Sequence, residues 1–465
     1  MRCRLFIVTL MGLGLLAGCK VDQKAEVGTY RKVVDLPTTR PAETATGPVT
    51  LLHALQLANQ LNERLSIEGE NYLQAIINRK RAVAGFLPTI DLTGSYGLDE
   101  NVGGGQPNHT LDAAAVGNIN LFNGFSDQAR LRVADLTIEQ RRYLLLDVQE
   151  SLLADVVRAY YAALRNEQLV VVLQNTAELQ QGRVDDMYAR RDAGVARPLD
   201  VAQSEAQASA TRVTLIDARN AAANARSALT LLTGVNMGRA VLSEVDTTTA
   251  LGDDAAQIAQ GALSQRQDLL AAEKARDAAR QGVEVAVGQY YPSVSLDLKG
   301  FLYRESTPSD RDWASLLQLH MPIFSAGRIE TDVRQAWSQF RQASLFESLL
   351  HRQVLADVEV AQENLASSKK RLCELAVQVA AARQAVEQAE QSYNAGLATN
   401  LERLAAQDQL LNASLGETSE HYNFRVTYAA LLHAAGELRM RVAVRLQPTT
   451  APGTPLPATD AATLQ

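Results

Sequence analysis

The chain has 465 residues, of which 45 are lysine or arginine and 52 are aspartate or glutamate, so its formal net charge is -7. Because these charges are evenly spread and form no basic stripe, the composition excludes a nucleic-acid partner of the kind that binds through phosphate backbones. There are three cysteines, and two of them lie within the first 19 residues. If Cys3 is removed and Cys19 is acylated, as argued next, only Cys373 remains and no intramolecular disulfide can form.

Residues 1–18 have the pattern of a bacterial lipoprotein signal peptide. Arg2 and Arg4 precede an apolar run that ends in Leu16-Ala17-Gly18-Cys19. A short buried helix is the alternative, but the basic flank and the small residues before a cysteine favour export. The run is also shorter than the roughly 20 apolar residues that a membrane-spanning helix needs. We therefore expect the mature chain to begin at a diacylated, membrane-tethered Cys19.

The segments at the two ends of the mature chain have little apolar content. Residues 19–48 are rich in proline and threonine, which predicts an extended, lipid-anchored N-terminal segment. Lys20 stands where lipoproteins held at the inner membrane commonly have aspartate, and this favours the outer membrane. Residues 447–465 have a similar composition and predict a disordered tail.

Between these segments the chain contains one arrangement twice, over residues 49–254 and 255–446. Each copy reads as a helix, two strands, a long helix, a turn and another helix. An offset of about 204 aligns six residues of the first copy with six of the second. They are Ala58, Leu65, Phe86, Pro88, Ile90 and Leu92, which align with Ala262, Leu269, Tyr290, Pro292, Val294 and Leu296.

Four segments alternate apolar and polar residues and predict strands, because successive strand side chains point to opposite faces. They centre on residues 90–98, 117–121, 293–302 and 313–323, and loops at 101–108 and 305–310 are expected to join each pair. A soluble half-buried sheet gives the same alternation. Four strands cannot close a membrane barrel and lipid does not tolerate open edges, so a barrel would need strands from several copies.

The stretches from about Phe125 to Ala193 and from Ala326 to Ala395 contain no proline and little glycine. Each predicts a helix on the order of 100 Å long. Glycines at 194 and 396 are expected to end these helices in tight turns. Apolar residues three and four apart in the second helix indicate a coiled-coil seam against an antiparallel neighbour, with a solvated single helix as the alternative. The seam is Leu372, Leu375, Val379, Ala382, Val386, Ala389 and Tyr393.

Enzyme motifs are missing from the sequence. The six histidines are scattered, with no His-Glu-x-x-His pair and no Cys-x-x-Cys cluster for zinc. Gly94-Ser95-Tyr96-Gly97 is too short for a Gly-x-Ser-x-Gly nucleophile elbow and lies in a predicted strand. We expect no catalytic site, no metal site and no cofactor.

From about Val49 to Arg445 the sequence resembles the TolC family of outer-membrane efflux channels. The resemblance is carried by the paired junctions Phe86-Leu87-Pro88 and Tyr290-Tyr291-Pro292, by the paired motifs Leu121-Phe122-Asn123-Gly124 and Pro322-Ile323-Phe324-Ser325-Ala326-Gly327, and by the turns at Gly194 and Gly396. Phe125 departs from the family, which often has a second glycine there.

The resemblance implies a mainly α fold with a small β part. Long antiparallel coiled-coil helices form an α-barrel, and four strands per chain join a twelve-stranded transmembrane barrel in a homotrimer. It also implies the outer-membrane channel of a tripartite efflux or export system, in contact with outer-membrane lipid. The partners would be a periplasmic adaptor and an inner-membrane pump of RND or ABC type. The sequence does not indicate the transported substrate.

The resemblance further implies a gate and a docking surface at the periplasmic tip. Glu402 matches an acidic gate position, with Asp200 as its first-copy counterpart, and a second acidic position of some members falls on Ala405. An ordinary carboxylate in the first turn of a helix is the alternative interpretation of both. The candidate adaptor-docking residues are Gly194, Val195, Ala196, Gly396, Leu397 and Ala398.

A second function from a different class stays open at this point. A lipid-anchored periplasmic coiled-coil protein, structural or adaptor-like, would also have long helices, with its strands in a soluble sheet. Adaptors usually have one helical hairpin and larger β-domains, whereas this sequence predicts two hairpins and short strand pairs. The need for detergent after removal of the acyl chain would separate the two hypotheses.

Overall fold

A computed structural model describes residues 23–34, 48–99, 108–238, 240–243, 261–304 and 312–441. Several expectations fall on residues outside these ranges: the signal peptide, Cys19, the loops at 101–107 and 305–310, the boundary between the repeats at 254/255, and the tail at 447–465. Among the residues that the structure describes, no helix combines the length and the apolar content that a membrane span requires.

The described elements are helices of very unequal length and six strands. In chain order they are α1 Gln23–Val33, β1 Pro48–Val49, α2 Leu51–Leu61, α3 Glu63–Ala84, β2 Thr89–Asp99, β3 Asn108–Asn123, α4 Ser126–Asp192, α5 Pro198–Thr233, β4 Val241–Leu242, α6 Gln267–Val287, β5 Ser293–Arg304, β6 Trp313–His320, α7 Arg328–Asn394 and α8 Asn400–Ala434. The order α3-β2-β3-α4-α5 recurs as α6-β5-β6-α7-α8, which confirms the internal repeat.

Strands β2, β3, β5 and β6 form one antiparallel sheet in that order. Its apolar face is solvent-exposed in the single chain: Ile90, Leu92, Leu317 and Leu319 are between 65% and 75% exposed. On the opposite face Asn118 donates to Asp297 at 2.6 Å. The sheet therefore has the two faces that the alternation predicts, and β2 and β6 form its edges.

The predicted fourth strand is too long at its C-terminal end. It ends at His320, so Met321 and Ile323 lie beyond it. Pro322 provides the physical reason, because proline has no backbone N–H to donate to a neighbouring strand. The second strand, in contrast, begins earlier than predicted, at Asn108.

The two longest helices, α4 and α7, each contain 67 residues and span about 100 Å. Each reverses at a short turn and packs against the next helix, α5 or α8. Val379 and Ala382 of the predicted seam are buried against Ala413 of α8, and Leu410 packs beside them. The seam is therefore a contact between antiparallel helices, which removes the solvated single helix as an alternative.

The main core lies around the middle of α4, away from the sheet and from the turns. Leu145, Leu152 and Tyr160 of α4 are at most 1% exposed there. The Tyr160 hydroxyl donates to the carbonyl oxygens of Val49 and Ser243, both at 2.8 Å. It thereby bridges the backbones beside β1 and β4, which pair in parallel. This core fixes α4 relative to the segments that flank the first repeat.

The expected extended segment at residues 19–48 is wrong for residues 23–33, which form α1. Tyr30 is 6% exposed and Val34 is 1% exposed. The Val34 carbonyl accepts from the side chains of Asn59 at 3.4 Å and Gln149 at 3.1 Å. Composition alone did not predict this helix, because its stability comes from contacts with residues far away in the sequence. Two buried apolar side chains and one hydrogen-bonded carbonyl hold its three turns against the neighbouring helices.

Gly69 makes room for α1. A Cβ at this position would lie 2.4 Å from the Tyr30 ring. We expect Gly69→Ala to displace α1, to cost about 1–3 kcal/mol of stability because of overpacking, and to make residues 23–33 more sensitive to limited proteolysis. Gly182→Ala is the matched control, since a Cβ there meets nothing within 4 Å. Equal protease sensitivity in the two variants would contradict the role of this contact.

Glu150 is a buried carboxylate that holds the C-terminal end of the described chain. It is 4% exposed, and its Oε1 accepts from the backbone N–H of Leu438 at 3.0 Å. Burial raises its pKa from 4.5 to about 7, and burial together with Asp268 raises the pKa of nearby Asp147 to about 6. Both carboxyls therefore keep their protons to a higher pH in the folded chain than in the unfolded chain.

This pair gives stability a pH dependence of defined sign. The pKa of Glu150 is higher in the folded chain than in the unfolded chain. Its contribution to the free energy of unfolding is therefore fully present below about pH 4.5 and is lost as the pH rises through about 7. We expect stability to fall by roughly 4 kcal/mol between pH 5 and pH 8, with the larger part from Glu150, measured by thermal unfolding in detergent. Glu150→Gln should leave only the smaller pH dependence of stability that comes from Asp147. An unchanged slope would show that Glu150 does not titrate in this range.

Candidate functional site

The two helical turns at the far end of the long hairpins have the same backbone. Gly194 and Gly396 adopt left-handed conformations, with φ of +76° and +74°. Val195 N–H donates to the Arg190 carbonyl, and Leu397 N–H donates to the Ser392 carbonyl, both at 2.8 Å. These bonds across six residues, with glycine before the donor, end each long helix. The turns predicted from glycine are therefore present at both tips.

Four of the six predicted docking residues are exposed on these turns, and the other two, Ala196 and Ala398, are half-buried. Val195 is 75% exposed and Leu397 is 84% exposed. Leu199 and Leu401, in the first turns of α5 and α8, are 55% and 60% exposed. Each tip therefore presents apolar side chains on a backbone fixed by its own hydrogen bonds, a combination that suits a protein partner.

Helices α5 and α8 begin with different N-terminal contacts. In α8, Thr399 and Glu402 form a capping box: the Glu402 N–H donates to Thr399 Oγ1 at 3.3 Å, and Glu402 Oε2 accepts from the Thr399 N–H at 2.7 Å. In α5, Asp200 Oδ2 accepts from the Arg197 N–H at 3.2 Å. The cap thus positions both predicted gate carboxylates in the first turn.

The two carboxylates differ in whether a neighbouring cation compensates their negative charge. Asp200 is 7% exposed and accepts from Arg197 Nε at 3.1 Å and Nη2 at 2.9 Å. These bonds hold its pKa below the ordinary value. Glu402 is exposed, and the bonds it makes in the described chain are those of its capping box. Of these two described carboxylates, Glu402 is the one whose negative charge no cation compensates.

Polar contacts join the two hairpins just behind the tips. Asn400 is 2% exposed, and its Nδ2 donates to the Asp200 carbonyl at 3.1 Å and to Ser204 Oγ at 3.3 Å. Arg183 of α4 forms an ion pair with Glu390 of α7. Gln207 of α5 donates to Asp408 of α8. The hairpins are therefore held together by directional bonds that a relative rotation of the helices would break.

Arg403 is a buried cation in this region that sequence reasoning did not select. It is 6% exposed, its guanidinium lies 4.3 Å from the centroid of the Tyr393 ring, and it donates to Asn400 Oδ1 at 2.8 Å. Burial lowers its pKa. The Tyr393 hydroxyl contacts Met187 Sδ of α4 at 3.5 Å. The seam position of Tyr393 was visible in the sequence, but the stacking of Arg403 across the turn depends on the tertiary fold.

In the ranges that the structure covers, no three His, Cys, Asp or Glu side chains come together in a way that could hold a metal ion. The arrangement at the tips consists of capped helix ends, an exposed carboxylate and links between hairpins. Such an arrangement can bind a partner and change the width of an opening.

Comparisons with known proteins agree with this architecture. The profile of the outer membrane efflux protein family matches residues 24–235 and 258–437. The outer membrane protein TolC of Vibrio cholerae is 22% identical over 427 residues, which cover 88% of this chain and 96% of that protein. The outer membrane efflux protein BepC of Brucella suis is 24% identical over 354 residues, or 75% of this chain and 77% of the relative.

Solved structures show the same fold at low sequence identity. The outer membrane protein VceC from Vibrio cholerae superposes with a TM-score of 0.74 at 20% identity, covering 83% of this chain and 96% of VceC. CusC, whose structures concern folding and transmembrane channel formation, superposes with a TM-score of 0.75 at 18% identity, over 86% of this chain and 98% of CusC. The likeness extends over nearly the entire length of both neighbours.

Proposed function

This chain belongs to the outer membrane efflux protein family, and from that premise we propose that it forms the outer-membrane channel of a tripartite efflux or export system. The observation that carries the proposal is one sheet with an exposed apolar face joined directly to two helices about 100 Å long, each packed against a shorter antiparallel helix. A sheet in the outer membrane and helices across the periplasm make one continuous exit duct.

The sheet supports a homotrimer. Its edge strands β2 and β6 have no partner strand within the described chain, and lipid does not tolerate open edges. Three copies placed edge to edge supply twelve strands, and β6 of one copy would run antiparallel to β2 of the next. Closure then gives the backbone N–H and C=O groups of every edge strand a hydrogen-bonding partner. It also directs the apolar face to lipid and the polar face to water.

We place the periplasmic gate at Glu402 and assign Asp200 a structural role. Three copies of an exposed Glu402 around a narrow axis would form a negative ring that favours cations. Asp200 is neutralised by Arg197 and supports the hairpin contact through its carbonyl. Opening requires the loss of the links between the hairpins, of which the Arg183–Glu390 pair and the Asn400 bonds are the main ones.

The tips suit a periplasmic adaptor that connects the channel to an inner-membrane pump of RND or ABC type. Val195 and Leu397 expose apolar side chains at the two turns. Because the turns share one backbone geometry, a trimer would present six similar contact points. Gly194, Ala196, Gly396 and Ala398 complete the candidate docking surface with small residues beside these apolar side chains.

The position of α1 supports a lipid anchor at Cys19. Tyr30 contacts Gly69 and Val34 contacts Asn59, so α1 runs opposite to α3 and its first residue points toward the sheet. Three residues separate Cys19 from Gln23, and the four residue-to-residue steps between them reach at most about 14 Å. The acyl chains would enter the same membrane as the sheet.

The periplasmic coiled-coil alternative fits the structure less well. In a soluble sheet the apolar face would remain in water, since Leu92 and Leu319 are 75% and 68% exposed and nothing in the described chain covers them. A patch of this kind on a soluble monomer promotes aggregation.

The test is reconstitution of the Cys19→Ser protein. We expect a detergent-requiring trimer that conducts ions in planar bilayers, because the barrel inserts without the acyl chains. Oligomer mass in detergent and single-channel conductance are the two measurements. A species that stays soluble and monodisperse without detergent and does not conduct ions would contradict the channel and support the coiled-coil alternative.

A further inference from the structure

A cleft of about 350 Å³ lies directly below the sheet, between the beginning of α4 and the end of α6. The two walls are stripes on facing helices. One consists of Phe125, Gln128 and Arg132, and the other of Glu284, Val287 and Tyr291. In each stripe the charged residue lies on the helix, whereas the aromatic residue lies just beyond the helix end, because Phe125 precedes α4 and Tyr291 follows the 3-10 turn Gly288–Tyr290.

The lining of the cleft changes from aromatic to charged with distance from the sheet. At the sheet end, the rings of Phe125 and Tyr291 meet edge to face at 6.4 Å, and Phe122 meets Phe125 at 5.0 Å. About 10 Å further along the helices lie Arg132 and Glu284. In the part of the chain that the structure describes, neither of these charged groups forms a hydrogen bond or ion pair, although both are exposed and line one cleft.

The cleft opens on the side of the apolar face of the sheet. Phe122 stands opposite Val294 in the strand register, so the aromatic cluster continues the face that includes Val294 and Leu296. The floor is closed by backbone contact, because a Cβ at Gly124 would lie 2.1 Å from the Gly288 carbonyl oxygen. A molecule in the cleft would therefore reach it from the lipid-facing side.

Phe125 occupies this position at a conformational cost. Its φ is +62°, in the left-handed region, and Gly327 is its equivalent in the second repeat, with φ of +81°. Glycine adopts this backbone without penalty. Phenylalanine is strained at this position, whereas glycine would not be. We interpret the strain as a sign that the exposed ring makes a contact with another molecule.

We propose that this cleft binds the headgroup of a zwitterionic phospholipid from the periplasmic leaflet. The phosphate would lie at Arg132 and Gln128, the ammonium group at Glu284, and the proximal acyl chains along Phe122, Phe125 and Tyr291. This proposal rests on the proposed function, because the sheet must lie in the membrane for a lipid to enter. The charges match: the cleft offers one cation and one anion, and the headgroup carries one of each. Aromatic rings at the boundary with the charged groups are typical of membrane interfaces.

The experiment counts lipids bound to the purified trimer. Protein in detergent is equilibrated with dioleoyl-phosphatidylethanolamine or dioleoyl-phosphatidylglycerol at equal mole fraction, and native mass spectrometry records the bound molecules. We expect three phosphatidylethanolamine molecules per wild-type trimer, bound in preference to phosphatidylglycerol. Arg132→Gln and Glu284→Gln should each weaken retention on the order of tenfold, because each leaves one headgroup charge unpaired.

The internal repeat supplies the matched control. Arg334 is the second-repeat equivalent of Arg132, and it is already paired with Glu330 at 2.6 Å. Arg334→Gln should leave lipid retention unchanged. Equal retention in all three variants and the wild type would overturn the proposal, and so would equal binding of the two lipids with no effect of Glu284→Gln. Trimer mass and conductance are recorded on the same samples, so failure of the lipid site is distinguishable from failure of the channel.

Discussion

Glu402→Gln is expected to lower the preference of the reconstituted channel for cations over anions by on the order of tenfold. A carboxylate about 6 Å from a permeating cation contributes roughly 0.7 kcal/mol in water, so three carboxylates at that distance would contribute about 2 kcal/mol, and salt reduces this sum. Glutamine removes these charges but keeps an acceptor for the Thr399 N–H, so the capping box persists. Reversal potentials in asymmetric KCl, together with single-channel conductance, give the measurement.

The control for this variant removes an equal charge from the same region. Glu387 is exposed on α7 two turns before the tip, and Glu387→Gln should leave selectivity close to wild type. Glu402→Asp should retain most of the cation preference, since it keeps the charge. If Glu387→Gln changes selectivity as much as Glu402→Gln does, the effect belongs to the general charge of the tip and Glu402 is not the gate.

Gly288→Ala is expected to cost about 2–4 kcal/mol of stability and to reduce the yield of assembled trimer. A Cβ at this position would lie 2.1 Å from Ser126 Oγ and 2.8 Å from the Gly124 carbonyl oxygen. Ser126 is 2% exposed and its hydroxyl donates to the Val285 carbonyl at 3.2 Å, so it has no free space to move into. Thermal unfolding of the purified trimer measures the loss.

Gly282→Ala provides the comparison six residues earlier, inside α6, whereas Gly288 is the residue that ends this helix. A Cβ there meets nothing within 4 Å, and alanine in a helix interior is favoured over glycine by up to about 1 kcal/mol. The two substitutions are chemically identical, so opposite shifts in the unfolding midpoint would isolate close approach as the cause. A stabilised Gly288→Ala variant would contradict the tight junction between α4 and α6.

The features that the sequence predicted well are those set by local periodicity. The alternation of Ile90, Leu92, Tyr96 and Leu98 identified a strand because side-chain direction depends only on the strand itself. The absence of proline from two long stretches identified α4 and α7, and glycine identified the two turns because few other residues adopt a left-handed backbone. Repetition at a fixed offset made each of these patterns stronger.

What the sequence did not reveal depends on distant contacts. Residues 23–33 have the composition of a linker, and they form a helix because Tyr30 fits against Gly69. Asp200 and Glu402 are equivalent in the repeat, yet Arg197 neutralises only the first of them. Arg403 became a candidate for the tip only when the turn placed it over Tyr393. Each case requires knowledge of which surfaces meet, and a single sequence does not contain that information.

The central claim is that three copies of the sheet close one barrel through β2 and β6. It is tested most directly by disulfide cross-linking between neighbouring copies in the Cys373→Ser background. Leu317→Cys on β6 is combined with one substitution on β2 at a time: Ile90→Cys, Leu92→Cys or Gly94→Cys. A disulfide forms only where the two Cβ atoms come within about 4.5 Å, so one pairing should react strongly. We expect that pairing to give linked dimers and trimers on a denaturing gel, with trimer as the largest product. Cross-linked species that continue above the trimer, or no product from any pairing, would contradict a closed three-chain barrel.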